Sequence, residues 1–236
     1  MEIVDRVMIV TGASSGIGAA TVRLAHQRGA RVVLAARRAD RLEELAVELP
    51  GSLPVTTDVT QPEQVARLIE QALAAFGRID ALVNNAGQGL HVPLEQVEPD
   101  AFREVFELNV LAPLALMQAV LPAMRRQGGG AIVNISSGTS RMALPGVAAY
   151  ASTKAALNLL SNTARAEFAK DGIVVSLVYP SVTATEFHQV LRQGATSSRR
   201  LPFEPQTPES VAEAILRAIE TGEAEIVLGH TPAPAD

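Results

Sequence analysis

The 236-residue chain has no cysteine, and only 3% of its residues are aromatic. Without cysteine it can make neither disulfides nor thiolate zinc sites, and no metal is expected. That absence suits a reducing compartment, so a cytoplasmic location is expected. Charge of one sign is also scarce: 20 basic residues face 25 acidic ones, spread along the chain for a net charge of -5. This leaves no basic footprint for nucleic acid. Long hydrophobic runs are missing too. The greasiest stretch, residues 110–124, is interrupted by Pro113, Gln118 and Pro122, and is too short to span a bilayer. It reads as a buried or interface helix, with no membrane partner implied. Met1-Glu2-Ile3-Val4-Asp5-Arg6 lacks the basic and apolar regions of a signal peptide. With no repeat, low-complexity tract or linker, residues 1–236 are expected to form a single domain.

What is present is a regular alternation. Short β-branched runs at residues 7–10, 31–36, 53–57, 80–83, 131–136, 173–179 and 225–228 predict strands. Helical spacing of apolar residues predicts helices at 17–28, 40–49, 100–126, about 147–170 and 208–220. Gly29 is expected to stop the first helix in a left-handed conformation. Thr60-Gln61-Pro62-Glu63 has the form of a capping box opening a further helix that ends at Phe76. Seven strands interleaved with helices predict an α/β, three-layer, doubly wound fold around a seven-stranded, mostly parallel sheet. Ligands of such sheets bind beyond the carboxyl ends of the strands, near the switch point of the strand order.

The motifs fall at that edge. Thr11-Gly12-Ala13-Ser14-Ser15-Gly16-Ile17-Gly18 joins the first strand to its helix. Glycines there let the backbone turn tightly and approach a pyrophosphate, whose charge is favoured at the helix N-terminus. Taken alone the spacing is also compatible with simple turn chemistry. At the end of the second strand, where an NAD enzyme usually places a carboxylate for the ribose hydroxyl, stand Ala36, Arg37 and Arg38. A guanidinium can clamp a 2′-phosphate, which favours NADP(H) over NAD(H); two solvated surface arginines are the plainer alternative.

Tyr150 and Lys154 are four residues apart, hence on one helix face. An ammonium near a phenol favours the phenolate and draws its pKa toward working pH, where it can exchange a proton with a carbonyl or alcohol oxygen. The pair by itself is common enough to mislead. Ser137, just past the strand at 131–136, could polarise a carbonyl, while Ser136 reads as a loop hydroxyl bonding its own backbone. Pro113 has no N–H, so the carbonyl of Asn109 loses its helical partner and could hold a water on a proton path from Lys154. Pro113 could equally kink a long helix.

Thr11-Gly12-x-x-x-Gly16-x-Gly18, Asn84-Asn85-Ala86-Gly87, Asn109, Ser137 and Tyr150-x-x-x-Lys154, in this order, resemble the short-chain dehydrogenase/reductase family over residues 6–228. The resemblance implies a Rossmann-like fold and a tetrad of Asn109, Ser137, Tyr150 and Lys154. In it Tyr150 is the general acid/base, Ser137 orients the carbonyl, Lys154 also holds the nicotinamide ribose, and Asn109 keeps the relay water through its main chain. It also implies cofactor contacts from the glycine loop (Gly12, Ser14, Ser15, Gly16, Ile17, Gly18), from Arg37 and Arg38, and from Asp58 and Val59 at the adenine. Asn85, Ala86 and Gly87 would line the cofactor, with Pro180, Val182, Thr183 and Thr185 beside the nicotinamide. Family members with arginine at the Arg37 position tend to use NADP(H). Pro180-Ser181 departs from the Pro-Gly the family often has there.

A small-molecule carbonyl or alcohol substrate and a homodimer or homotetramer are implied as well, with residues 186–206 as a mobile substrate lid. Within that stretch Phe187, His188, Leu191, Leu201 and Phe203 could close over an apolar compound. Arg192, Arg199 and Arg200 could meet an anion, though solvated loop arginines are the plainer reading. Two rivals are a non-catalytic NADP(H)-binding sensor or regulator, which would not need tyrosine, lysine and serine together, and a sugar-nucleotide epimerase or dehydratase, which usually carries a larger C-terminal domain.

Overall fold

A computed structural model of the chain describes residues 1–189, 191–194, 203–229 and 231–232. Its strands are β1 (Val7–Thr11), β2 (Arg31–Ala36), β3 (Leu53–Thr56), β4 (Ala81–Asn84), β5 (Gly130–Ile135), β6 (Ile173–Tyr179), β7 (Phe203–Glu204), β8 (Glu225–Val227) and β9 (Thr231–Pro232). The α-helices are α1 (Gly16–Gln27), α2 (Ala39–Glu48), α3 (Pro62–Phe76), α4 (Pro99–Phe106), α5 (Ala112–Arg126), α6 (Ala148–Phe168) and α7 (Pro208–Thr221).

Among the described residues, seven strands form one Rossmann-like sheet in the order β3-β2-β1-β4-β5-β6-β8. Every neighbouring pair is parallel, so the sheet is parallel throughout rather than mostly so. Side chains of a strand alternate between faces, and here both faces are covered. Met8, Val10, Val32 and Leu34 pack with Val22 of α1, Leu42 of α2 and Ile215 of α7. Val7, Ile9, Val33 and Ala35 pack with Leu68 of α3 and Leu116 of α5. Pro54 is accommodated because β3 is an edge strand, with no ladder on its open side. A separate antiparallel pair, β7 with β9, has no counterpart in the sequence reading, because strands of two residues carry no periodicity.

Gly29 follows α1 at φ +83°, as expected of a left-handed stop. The capping box does not form. α3 starts one residue late for it, with Gln61 at the N-cap and Pro62 as the first helical residue, and the Thr60 hydroxyl instead donates to Asp58 Oδ1 at 2.7 Å. The helix expected over residues 100–126 is continuous from Pro99 to Arg126 but widens into a π turn at Glu107–Leu111. Pro113 cannot donate to the Asn109 carbonyl, and the ladder shifts by one residue, with Ala112 N–H reaching the Glu107 carbonyl. The apolar stretch 110–124 alone reads as too short to span a bilayer, but the whole 28-residue helix that holds it is long and apolar enough to cross a membrane. Half of its most apolar window is nonetheless buried inside the fold, where Leu116, Met117 and Val120 join the core.

From β1 the chain winds outward through β2 to β3, then returns to place β4 on the other side of β1. The carboxyl ends of β1 and β4 therefore flank the switch point, and the candidate residues gather there.

Candidate active site

The loop after β1 is shaped by glycines that no other residue replaces without strain. Gly12 and Gly16 have φ of +66° and +54°, and a Cβ on Gly18 would lie 2.2 Å from the Gly12 carbonyl oxygen. The loop is tied to the segment after β4 by Thr11. Its hydroxyl accepts from the N–H groups of Asn85 (3.0 Å) and Ala86 (3.1 Å), while Asn85 Nδ2 donates to the Thr11 carbonyl at 2.9 Å. Thr11 was not among the candidate residues. Its signal is the polar residue that ends an otherwise apolar strand.

Both arginines after β2 are exposed, and Arg38 faces the loop. Arg38 donates to Ser14 Oγ from Nε at 3.1 Å and to Ser15 Oγ from Nη2 at 2.6 Å. It also pairs with Glu186 at 3.1 Å, and that bond is the main cause holding the Glu186 carboxyl below its ordinary value. Asp58 accepts from the Thr60 backbone N–H at 3.0 Å, and Val59 is buried in the core behind it.

At the ends of β5 and on α6, Tyr150, Lys154 and Ser137 come together. Tyr150 and Lys154 are buried, and the Ser137 hydroxyl acts on the phenol, drawing its pKa down. Lys154 Nζ lies 6.0 Å from the centre of the Tyr150 ring and donates to the Ile135 carbonyl at 2.9 Å. The acidity differs from the sequence expectation. Burial pushes the phenol up to about 12, against the lowering pull of Ser137, and the same desolvation pushes Lys154 down to about 8. Ser136 also differs: its hydroxyl bonds Asn158 Oδ1 at 2.6 Å rather than its own backbone.

Asn109 sits in the π turn with its side chain fully engaged. Oδ1 accepts from Gln88 N–H, and Nδ2 donates to the Gln88 carbonyl and to Thr153 Oγ1, each at 3.0 Å. A Cβ on Gly87 would lie 3.1 Å from Asn109 Oδ1 and 3.5 Å from Lys154 Nζ, so the bare glycine leaves room for both.

Pro180, Val182, Thr183 and Thr185 run along the same edge. Thr185 stands over the loop, its Cγ2 3.0 Å from where a Gly16 Cβ would be. Ser181, in place of the usual glycine, needs no positive φ, and its N–H donates to Gln206 Oε1 at 3.0 Å. Beyond it Phe187 packs on Tyr150 with ring centres 5.7 Å apart, and His91 contacts the same ring edge-on at 5.8 Å. His91 was not among the candidates, since nothing local to it marks a position over the tyrosine. Residues 191–194 lie against the segment after β4 through Arg192 N–H to Gly89 O and His91 N–H to Gln193 O. Arg192 is taken up by an ion pair with Glu104. Arg199, Arg200 and Leu201, and the side chains of His188 and Phe203, lie outside the described residues.

A short chain dehydrogenase family model matches residues 6–196. An uncharacterised oxidoreductase of Staphylococcus saprophyticus is 38% identical over 225 residues, covering 93% of this chain and 92% of the relative. Among solved structures, a short chain dehydrogenase from Burkholderia cenocepacia in complex with NADP is 35% identical with a TM-score of 0.83, covering 97% of this chain and 90% of its own. A 3-ketoacyl-(acyl-carrier-protein) reductase from Brucella melitensis complexed with NADH is 26% identical with a TM-score of 0.87, covering 95% and 98%.

Proposed function

Because the chain belongs to the short chain dehydrogenase family and is an oxidoreductase of that family, we propose that it interconverts a ketone or aldehyde and an alcohol with NADP(H), using Tyr150 as general acid/base. The observation that carries this reading is the buried pair Tyr150 and Lys154, one helical turn apart on α6.

The residues present fit a dinucleotide. Gly12, Gly16 and Gly18 form a cradle that a Cβ would fill, and Ser14, Ser15, Asp58, Val59, Asn85, Ala86, Gly87, Pro180, Val182, Thr183 and Thr185 are the residues that would line the bound cofactor. When bound, NADP(H) supplies or accepts the hydride. Tyr150 gives its proton to the carbonyl oxygen in reduction and takes one from the alcohol in oxidation. Ser137 donates a hydrogen bond to the same oxygen and so polarises the carbon that is attacked. Lys154 holds the ribose and, still mostly protonated at pH 7, favours the phenolate. Asn109, its carbonyl freed by Pro113, keeps a water that returns the proton to Lys154.

Preference for NADP(H) rests on Arg38 and Arg37 and on the lack of a carboxylate at Ala36; the NADP complex of the Burkholderia relative is in keeping with it. The rest of the proposal is a soluble cytoplasmic enzyme of one domain, with residues 186–206 as a mobile lid. It is a homodimer or homotetramer through its long helices, on which Leu159 is 71% exposed.

The test uses the purified protein. NADPH fluorescence should respond at lower concentration than NADH, and a carbonyl panel should oxidise NADPH. Tyr150→Phe should lose on the order of 10²–10⁴-fold in turnover with NADPH binding retained. Turnover surviving that change would remove Tyr150 from its role, and equal affinity for both cofactors would remove the arginine argument.

A further inference from the structure

Asn158 lies on α6 four residues beyond Lys154 and eight beyond Tyr150, on the same helix face. The proton relay gives it no part, yet its side chain is committed to the loop that carries Ser137. Asn158 Nδ2 donates to Ser140 Oγ at 3.0 Å, and Oδ1 accepts from Ser136 Oγ at 2.6 Å. Ser140 Oγ in turn donates to the Ser137 carbonyl at 2.7 Å. On its other side the same loop is held by β6 and the residue after it, through Ser136 N–H to Val178 O at 2.8 Å and Gly138 N–H to Pro180 O at 3.1 Å. The Ser137 peptide is thus held between a strand and the helix that bears Tyr150.

This matters because Ser137 has local competitors for its hydroxyl. The Thr139 N–H donates to it at 3.2 Å, and Thr139 Oγ1 lies 2.9 Å away. A serine at the head of a turn readily settles for such partners. Keeping the hydroxyl turned toward the phenol instead requires a fixed backbone. The residue that fixes it must accept from one serine and donate to another, which an amide does and a carboxylate or an alkyl group does not.

We propose that Asn158 is a positioning residue that, by clamping Ser136 and Ser140 to α6, fixes the Ser137 backbone so that its hydroxyl serves Tyr150. The proposal rests on the reading of Tyr150 and Ser137 given above. Its consequence is that one helix sets both the place of the acid/base and the place of the group that tunes it. Loss of the clamp weakens the action of Ser137 that lowers the phenol's pKa.

The chain holds two tyrosines and no tryptophan. In a Tyr179→Phe background, the near-ultraviolet tyrosinate absorbance of the NADP⁺ complex therefore follows Tyr150 alone. Ser137→Ala, Asn158→Ala and Ser140→Ala should each raise the titration midpoint, by about one pH unit for the loss of a hydrogen bond to a charged acceptor. Asn158→Ala made on top of Ser137→Ala should add nothing, since the two act through one contact. A midpoint unmoved by both Asn158→Ala and Ser140→Ala, with thermal stability alone reduced, would overturn the positioning role. An equal shift with and without Ser137 would overturn it too. If Ser137→Ala itself leaves the midpoint in place, the underlying Tyr150–Ser137 reading falls with it.

Discussion

The Lys154 ammonium donates a 2.9 Å hydrogen bond to the carbonyl of Ile135, the last residue of β5, at a position that is only 5% exposed. One neutral acceptor replaces little of the water that a charged amine loses on burial, and its pKa falls from 10.5 to about 8. The unfolded chain then binds more protons than the folded one between about pH 8 and pH 10.5, so this group makes stability rise with pH across that window. Lys154→Met should stabilise the cofactor-free protein at pH 7, by at most about 3 kcal/mol, while abolishing turnover. The gain should shrink toward zero above pH 10. Urea unfolding of both proteins at several pH values checks this; a variant less stable than the parent at pH 7 would count against it.

A methyl group on Gly18 would meet the Gly12 carbonyl oxygen, a backbone atom that cannot yield, at 2.2 Å, and the side-chain Nδ2 of Asn85 at 2.7 Å. Gly18→Ala should push the loop off α1, costing about 1–3 kcal/mol of stability. NADPH affinity should fall by tenfold or more as the cradle opens. Isothermal titration with NADPH beside a urea melt measures both, and unchanged binding would show that the loop is not the cofactor's seat.

Arg38 is shared between the loop serines and Glu186. A 2′-phosphate would have to compete with that carboxylate for the guanidinium. Glu186→Gln should therefore tighten NADPH binding severalfold and leave NADH nearly unchanged, with the difference shrinking at high salt. Arg38→Ala should remove most of the preference for NADPH and Arg37→Ala less of it. The reverse order in fluorescence titrations would return the role to Arg37.

The strand and helix order was legible because it rests on short-range patterns. Val7 to Val10 or Arg31 to Ala36 can be read as buried strands from their composition, and Tyr150 and Lys154 share a face because a helix repeats every 3.6 residues. Helix starts were less legible. Thr60 has the form of a cap, yet Pro62, favoured at the first helical position, makes Gln61 the N-cap, and the Thr60 hydroxyl turns to Asp58. The proline argument at Asn109 anticipated a lost hydrogen bond but not its resolution as a π turn, which depends on how the whole helix seats on the sheet.

The amino-acid sequence by itself determined the alternation of strands and helices, the glycine turn after β1 and the one-turn spacing of Tyr150 and Lys154. Each follows from backbone geometry or from the alternation of apolar residues within a few positions. Only the tertiary structure decided that Arg38 rather than Arg37 meets Ser14 and Ser15, that Asn158 reaches Ser136 and Ser140, and that Phe187 and His91 cover the tyrosine ring. It also reversed the direction of the phenol's shift. The sequence places an ammonium four residues from a tyrosine, but desolvation is a sum over everything that excludes water, and those groups come from segments far apart in the chain.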